Sequence, residues 1–314
     1  MASKLLRATL IHVSSHTRIA QQGQTLDRQT TNAPGEAQSI THRSNRSSID
    51  QLLANAVVSR RRILYMAVRI AFQFVLLLII FQTYSYFRKT YFQQPAEHAF
   101  ANAVDVIDLQ AVLGFPVERL ELRLQCAVIG HGWLVDVFNT YYHQMKFVVY
   151  VSAVLAMVVD PVRYRMVRRV FLLSTLIAFP WYALYPLAPP RLMQDRGYQF
   201  VDTLALFGGT VSSSSGPSGA NQFAAMPSMH IGWSIIAALW LTVALPKWKI
   251  GAIIGIVHVL MMSVTVMATG NHYALDVVAG FAVVGFALLL DRLLPGEAIR
   301  FGRSRTGIQR TSQD

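Results

Sequence analysis

The chain is a series of long apolar runs separated by polar or basic segments. A run of about 20 apolar residues is long enough to cross a bilayer as a helix. The runs that approach this length are residues 63–87, 141–159, 170–187, 230–245, 250–269 and 273–290. The pattern therefore predicts an all-α, polytopic membrane protein whose core is a bundle of six transmembrane helices.

Two shorter amphipathic segments lie between the first two predicted spans. In the first, apolar residues recur at helical spacing at Phe100, Val104, Ile107 and Ala111. In the second, residues 117–128, Leu120 and Leu124 alternate with Glu118 and Glu121. A helix with one apolar and one polar face lies on a membrane surface or against a bundle, so both segments are predicted to be interfacial helices.

The polar segments predict the domain organisation. Residues 1–60 are rich in Ser, Thr, Gln and Arg and are predicted to be a disordered basic tail. Residues 61–293 form the predicted membrane domain, and residues 294–314 a second basic tail. Within the membrane domain, the Gly/Ser-rich residues 208–219 are predicted to be a flexible lid. The apolar run at residues 8–13 is too short for a secretory signal.

The composition agrees with a membrane protein. Hydrophobic residues make up 53% of the chain and charged residues 14%, which is not the balance of a soluble domain. The formal charge is +12, but the basic residues cluster beside the apolar runs, as cytoplasmic anchors do. We therefore expect membrane lipids as partners and no nucleic acid.

The distribution of basic residues also predicts the orientation. Both tails, residues 160–169 and the turn at residues 246–249 are basic. With six spans these segments fall on one side, which is predicted to be the cytoplasm. The prediction is a multi-pass protein, in the plasma membrane, with cytoplasmic termini and with its candidate catalytic residues on the extracytoplasmic side.

The candidate chemistry lies where two apolar runs begin. His272 and Asp276 are four residues apart at the start of the last run, so their side chains share a helix face. A carboxylate bonded to one imidazole nitrogen fixes the tautomer and leaves the other nitrogen as a nucleophile or base. The alternative is a polar pair that ties this helix to its neighbours.

The second motif is Pro227-Ser228-Met229-His230, at the start of another run. Ser228 can cap this helix, and the backbone N–H groups of a helix start favour an anion. His230 there can donate a proton to a departing alkoxide. The alternative is an ordinary capped helix start with an interfacial histidine.

Arg191 follows Pro189 and Pro190 in the polar stretch before this motif. A guanidinium matches the oxygens of a phosphoryl group with two parallel hydrogen bonds. The alternative is an anchor for a lipid headgroup.

Together the motifs resemble those of the type 2 phosphatidic acid phosphatase superfamily, which read K-x6-R-P, P-S-G-H and S-R-x5-H-x3-D. The sequences of the three segments are closer to the inositol phosphorylceramide synthase-like branch. They are Ala188-Pro189-Pro190-Arg191, Pro227-Ser228-Met229-His230 and Asn271-His272-x3-Asp276. The resemblance covers roughly residues 95–290. It implies a six-helix bundle that acts without a metal or other cofactor.

The resemblance also implies the roles of the site residues. His272 would attack phosphorus and become phosphohistidine, with Asp276 orienting it. His230 would protonate the leaving group. Arg191 would hold the phosphate, together with Ser228 and Asn271.

This chain departs from the motifs of the resemblance at three places. Leu184 stands where the first motif has Lys, Met229 replaces Gly, and Thr265-Val266 replaces Ser-Arg. The pocket thus has fewer cations, which suits a phosphodiester or a lipid-linked phosphate better than a free monoester dianion. The candidates to support phosphate binding, besides Asn271, are Asn139, His143, Tyr185 and Arg196.

The predicted function is a lipid phosphatase or phosphotransferase that acts on a lipid-linked phosphate. Its variant is the transfer of an inositol or sugar phosphate to a lipid alcohol, which would make an alcohol acceptor a further partner. Two other hypotheses remain. One is a metal site of His230, His272 and Asp276, although no thiol or second carboxylate is close in sequence. The other is a transporter or scaffold, although the polar groups lie at helix ends.

Overall fold

A computed structural model describes residues 57–61, 63–83, 86, 96–207 and 222–294. The chain divides into two units, Met1–Leu64 and Tyr65–Asp314, and the helical bundle belongs to the second. The predicted lid at residues 208–219 lies outside the described residues, as do residues 1–56 of the first predicted tail and residues 295–314 of the second.

The described residues form α-helices joined by short connections, with an isolated β-bridge between Leu187 and Ala224. Two single-turn 3₁₀ helices, Pro190–Leu192 and Gln194–Arg196, follow the fifth helix. In chain order the helices are α1 (Val57–Thr83), α2 (Ala96–Val112), α3 (Glu121–Ile129), α4 (Gly132–Val159), α5 (Pro161–Leu184), α6 (Thr203–Phe207), α7 (Met229–Ala244), α8 (Trp248–Ala268) and α9 (Ala274–Leu293).

Helices that can cross a membrane dominate the fold. Among the described residues, five are long and apolar enough: α1, α4, α5, α8 and α9. The fourth predicted span is present as the shorter apolar helix α7, of 16 residues. It rises about 24 Å, which is less than the about 30 Å of hydrocarbon in a bilayer. The all-α polytopic class is confirmed, with five full-length helices and one shorter one.

Two helices begin earlier than the sequence predicts. Helix α4 starts at Gly132 rather than near residue 141, because Val135, Phe138 and Asn139 turn inward and are buried. Helix α5 starts at Pro161, so the basic residues 163–169 lie on its first turns rather than in a loop. The Asp160 carboxylate accepts hydrogen bonds from the N–H groups of Val162 and Arg163, and proline fits the first position of a helix.

The short helix α7 packs against α4, α5, α8 and α9. Its Trp240 is fully buried and stacks on Tyr164 of α5, with ring centroids 5.7 Å apart. Close approach of α8 depends on its small residues, since a Cβ at Gly255 would lie 2.5 Å from the Cβ of Ala238. Small residues allow this kind of backbone contact between membrane helices.

The two amphipathic segments predicted between the first two spans are both helical, as α2 and α3, but their buried faces differ from the prediction. The residues of α2 that are buried are Ala99, Ala103, Val106, Ile107 and Gln110, whereas Val104 and Ala111 are exposed. In α3 the predicted polar-face residue Glu121 is completely buried. The reason is that Gln110 and Glu121 both bond to the start of α9, which turns their helix faces toward the bundle.

Candidate active site

The site lies where the start of α7, the start of α9 and the turn after α8 meet. The turn contains Gly270, whose φ of 68° lies in the left-handed region that favours glycine. The N–H groups of Asn271 and His272 both donate to the carbonyl oxygen of Val266, at 2.9 and 3.0 Å. This turn reverses the chain and places His272 directly before Tyr273, the N-cap of α9.

His272 and Asp276 form the predicted pair. Nδ1 of His272 lies 3.4 Å from Oδ2 of Asp276, and the same oxygen accepts a hydrogen bond of 2.8 Å from the N–H of Tyr273. Asp276 is completely buried and His272 nearly so. A buried carboxylate in this position directs the proton of the ring to Nδ1, so that Nε2 carries the free lone pair.

His230 lies beside this pair. The ring centroids of His230 and His272 are 5.7 Å apart, with 59° between the ring planes. The connection between their helices is short, because the N–H of Ser228 donates to the carbonyl oxygen of Asp276 at 3.0 Å. On its other side His230 stacks on Tyr142 of α4, with centroids 4.0 Å apart.

Arg191 reaches the site through Asn271. Its Nη1 donates to Oδ1 of Asn271 at 2.9 Å, and its backbone N–H donates to the carbonyl oxygen of Gly270 at 2.8 Å. Its Nε lies 3.6 Å from Oδ2 of Asp202. Asn271 is held in turn by the hydroxyl of Thr269, 2.8 Å from its Nδ2. The guanidinium is thus oriented by two side chains and the turn after α8.

Ser228 lies at the start of α7 without capping it. Its hydroxyl makes no side-chain hydrogen bond to the first turn of the helix, and its Oγ is buried without a hydrogen-bond partner among the described residues. A buried hydroxyl at a helix N-terminus can donate to an anion, as can the backbone N–H groups beside it. This end of α7 is therefore suited to phosphate oxygens.

The structure places the four supporting candidates differently. Asn139 is buried and bonds to Thr203 through both the oxygen and the nitrogen of its amide. The hydroxyl of Thr203 also donates to the carbonyl oxygen of Thr269, so Asn139 stabilises a contact next to the turn after α8. His143 packs edge-on against Tyr142, the residue that stacks on His230, and its Nε2 is buried without a hydrogen-bond partner among the described residues. Asn139 and His143 thus contact neighbours of the site.

Tyr185 and Arg196 turn toward α2 instead. The hydroxyl of Tyr185 donates to the carbonyl oxygen of Asn102 at 3.4 Å, and burial raises the pKa of this phenol, with the charges of Asp105 and Asp276 adding to the effect. Arg196 pairs with Glu97 at 2.7 Å and lies over the ring of Phe100. Arg196 is therefore committed to Glu97 rather than brought to the histidines.

Three residues near the site carry no motif signal. In the sequence Tyr142 looks like an ordinary interfacial aromatic residue. Asp202 caps α6, because its Oδ1 accepts hydrogen bonds from the N–H groups of Leu204 and Ala205. Glu121 resembles a solvated residue of an amphipathic helix. Burial raises the pKa of Glu121 above its ordinary value of 4.5. The hydrogen bonds from Gln110 and Ala274 lower this pKa, but their effect is smaller than that of burial.

The hypothesis of a metal site gains no support from the geometry. In the part of the chain that the structure describes, no group of three His, Cys, Asp or Glu side chains is arranged to hold a metal ion. His272 and Asp276 bond to each other, and His230 stacks on the ring of Tyr142.

Residues 104–290, more than half of the chain, match the sequence model of the PAP2 superfamily. The chain belongs to the PAP2 superfamily, a family of lipid phosphatases and phosphotransferases.

Two relatives show which members it is similar to. It is 27% identical to the phosphoinositol dihydroceramide synthase of Bacteroides thetaiotaomicron over 36% of this chain and 40% of the relative. It is 30% identical to the inositol phosphorylceramide synthase catalytic subunit aur1 of Schizosaccharomyces pombe over 39% of this chain and 30% of the relative. Each alignment thus covers less than half of the relative's length. No solved structure matches the chain.

Proposed function

We propose that this protein is a phosphotransferase that moves an alcohol-bearing phosphoryl group from a phospholipid to a lipid alcohol at the extracytoplasmic face. The observation that carries the proposal is the approach of His230 to His272, with ring centroids 5.7 Å apart, beside the buried Asp276. Near-attack distances are about 3–3.5 Å and proton-transfer distances about 2.6–3.2 Å. At this separation both rings can reach one phosphoryl group that lies beside them.

The first half of the reaction forms a phosphohistidine. Nε2 of His272 attacks phosphorus, the bond from phosphorus to the leaving lipid alcohol breaks, and His230 donates its proton to the leaving oxygen. The phosphoryl group stays esterified to its headgroup alcohol. Asp276 stabilises the positive charge that develops on the His272 ring, and Arg191, Asn271, Ser228 and the start of α7 bind the non-bridging oxygens.

The second half reverses these roles. His230, now neutral, takes the proton of the acceptor alcohol, whose oxygen attacks phosphorus while the bond to Nε2 of His272 breaks. The product is a new phosphodiester and both histidines return to their starting states. Water in place of the acceptor would give hydrolysis by the same steps.

The charges around Arg191 favour a diester substrate over a monoester dianion. Arg191 has Asp202 as a neighbour, which offsets part of its charge. The position where the family motif has a second arginine holds Val266, which is buried in the core. Arg196 is paired with Glu97. A pocket with so little positive charge matches the single negative charge of a phosphodiester, and both relatives are named as synthases of a ceramide that carries inositol and phosphate.

The orientation rests on the distribution of basic residues. His230 and His272 lie near the N-terminal ends of α7 and α9. Arg169 and Asp291 pair at the opposite end of α9. The turn that contains Pro246 and Lys247 follows the opposite end of α7. By the positive-inside rule the basic end is cytoplasmic, which puts the histidines on the other side.

The test is product analysis with purified protein in vesicles. Phosphatidylinositol and dihydroceramide are supplied as donor and acceptor, and products are identified by mass. We expect inositol phosphate on the ceramide, no product with His272→Ala or His230→Ala, and full product with the exposed control His98→Ala. Free inositol phosphate as the main product would make the protein a hydrolase, and turnover retained by both active-site variants would refute the mechanism.

A further inference from the structure

Three polar side chains on the interfacial helices lie buried behind the site, outside every motif. Gln110 of α2 and Glu121 of α3 are 0% exposed, and Gln125 of α3 is 1% exposed. Burial of an amide or a carboxyl group costs several kcal/mol unless it is hydrogen-bonded. The partners of these three groups therefore indicate what they are buried for.

Glu121 and Gln110 hold the start of α9. The N–H of Ala274 donates to Oε1 of Glu121 at 2.7 Å, and the N–H of Leu275 donates to Oε1 of Gln110 at 3.1 Å. Nε2 of Gln110 donates to the same oxygen of Glu121 at 2.8 Å. The first N–H groups of a helix have no acceptor within it. Here side chains of two other helices provide the acceptors, just after His272 in the chain.

Gln125 holds the segment that orients Arg191. Its Nε2 donates to the carbonyl oxygen of Val201 at 2.9 Å, and its Oε1 accepts from the N–H of Val201 at 2.8 Å. Val201 precedes Asp202, whose carboxylate lies 3.6 Å from Nε of Arg191. A Cβ at Gly270 would lie 2.9 Å from Nε2 of Gln125 and 3.2 Å from Cβ of Arg191. Gln125 therefore also packs against the turn that carries Asn271.

Glu121 and Gln125 are four residues apart, so they project from the same face of α3. We propose that α3 is a positioning element: Glu121, with Gln110, holds the His272–Asp276 half of the site, and Gln125 holds the Arg191 half. One rigid turn of helix then sets the separation between nucleophile and phosphate-binding cation. None of the three residues touches the reacting atoms, so each is a positioning residue. The chemistry that they position is that of the proposed function.

The hydrogen-bonding pattern shows what Glu121 contributes. Both of its bonds are accepted by Oε1, and Oε2 is buried without a partner among the described residues. A glutamine can present the same acceptor oxygen, with its amide nitrogen in place of Oε2. The acceptor rather than the charge should therefore matter, and Glu121→Gln should preserve the position of α9. Glu121→Met removes the acceptor at similar volume.

Each half of the site has its own kinetic signature. Misplacement of a reacting group by about 1 Å can cost 10²-fold in rate. On that basis we expect Glu121→Met to lower kcat by about 100-fold with KM changed by less than about threefold. Since Gln125 acts on phosphate binding, we expect Gln125→Met to raise KM by about 10-fold and to change kcat less. Glu121→Gln should stay within about threefold of the wild type in both constants.

The matched control is Asp291→Asn. Asp291 is a buried acid at the far end of α9, about 22 Å from Asp276 by helical rise, and it pairs with Arg169. Its loss should lower thermal stability but leave kcat and KM per folded molecule unchanged. If Glu121→Met lowers kcat no more than Asp291→Asn does, or if Glu121→Gln is as impaired as Glu121→Met, the inference is wrong.

Amide hydrogen exchange separates this inference from the proposed function. Glu121→Met should increase exchange at Ala274 and Leu275, and Gln125→Met should increase it at Val201, whether or not a substrate is turned over. Unchanged exchange at these amides would overturn the inference. If the wild type makes no product but the two variants show these exchange changes, the proposed function is refuted and α3 remains the element that positions both halves.

Discussion

The imidazole rings of His230 and His272 lie side by side with centroids 5.7 Å apart, although His230 is in the first turn of α7 and His272 directly precedes the N-cap of α9. Their separation is set by direct backbone contact between α7 and α9. The N–H of Ser228 donates to the carbonyl oxygen of Asp276, and Gly280 of α9 lies so close that a Cβ there would be 2.6 Å from the carbonyl oxygen of Ser228. The geometry of the site therefore depends on a glycine that carries no chemistry.

Gly280→Ala should inactivate the protein. The added methyl group meets backbone oxygen at 2.6 Å and Cβ of Ile231 at 3.1 Å, so α7 must move away and His230 with it. We expect kcat to fall by about 100-fold, since a shift of about 1 Å is enough for such a loss. The measurement is turnover per folded molecule.

Gly285→Ala is the control on the same helix. A Cβ at Gly285 would have nothing within 4 Å, and alanine stabilises a helix interior over glycine by about 0.5–1 kcal/mol. We expect a slightly higher melting temperature and unchanged turnover. Equal activity of the two variants would show that the contact at Gly280 does not set the position of His230.

Asp276→Asn should abolish most of the activity while preserving the fold. An asparagine oxygen in the place of Oδ2 can still accept from the N–H of Tyr273 and from Nδ1 of His272, but asparagine lacks the negative charge that stabilises the positive ring formed when Nε2 attacks. A comparable exchange in another histidine–acid pair costs about 10⁴-fold in kcat. Steady-state rates and a mass measurement of the phosphohistidine should both show the loss. An Asp276→Asn variant that still accumulates phosphoenzyme would contradict this role.

Arg191→Lys should weaken substrate binding although it keeps the charge. Nη1 of Arg191 donates to Asn271 while Nε lies beside Asp202, and a lysine cannot make both contacts and a paired hydrogen bond to phosphate. We expect kcat/KM to fall by about 10–100-fold, mainly through KM. Arg196→Lys, at the exposed pair with Glu97, is the control and should retain full activity. A larger loss in the control would shift the phosphate-binding role to Arg196.

Tyr142→Leu should lower the rate more than Tyr142→Phe. The Tyr142 ring stacks on His230 with centroids 4.0 Å apart and 22° between the planes. Phenylalanine keeps this contact and leucine loses it, and an aromatic pair contributes about 0.5–1.5 kcal/mol beyond its buried area. We expect about a 10-fold difference in kcat between the two variants, in line with that range. If both behave alike, the ring of Tyr142 does not orient His230.

The stability difference between Glu121→Gln and the wild type should depend on pH. Burial raises the pKa of Glu121 above 4.5 in the folded protein. A carboxyl group with a raised folded pKa loses stability as pH rises from its unfolded pKa through its folded pKa, since the unfolded state releases the proton first. The melting temperature of Glu121→Gln minus that of the wild type should therefore increase from pH 4.5 upward. This difference should become constant above the folded pKa of Glu121.

The exposed residue Glu118 provides the control for this titration. Glu118→Gln should show no comparable gain over the same pH range. A constant difference between Glu121→Gln and the wild type, or a gain as pH falls, would contradict burial of an ionisable group at residue 121.

The fold class could be predicted because each membrane helix is recognisable from residues that are close together in the sequence. Each span is a run of apolar residues, and its position along the chain does not depend on the rest of the structure. The ends were less predictable. Asp160 and Pro161 start α5 in a segment that reads as a basic loop, and α4 begins inside a segment that reads as polar, because a helix can extend beyond the lipid wherever one face finds a partner.

The candidate site was predictable as far as its residues share a local motif. The four-residue spacing predicts the pair of His272 and Asp276, and His230, Arg191 and Asn271 follow from the ordered motifs. In the structure His272 precedes α9 but does contact Asp276, His230 lies beside this pair, and Arg191 bonds to Asn271. Of the supporting candidates, Asn139 and His143 contact neighbours of the site, whereas Tyr185 and Arg196 bond to α2. Nothing local distinguishes a basic residue that faces phosphate from one that faces Glu97.

By itself the sequence determined that this chain is a helical membrane protein with two histidines at helix starts, since hydrophobicity and helical spacing act between residues close in the chain. The tertiary structure alone decided how far apart those histidines lie, that Arg196 pairs with Glu97 instead of joining them, and which buried side chains hold them. Those properties depend on contacts such as Glu121 with Ala274 and Gly280 with Ser228. Such contacts join residues that are distant in sequence, and only packing of the whole bundle brings them within hydrogen-bonding or van der Waals distance.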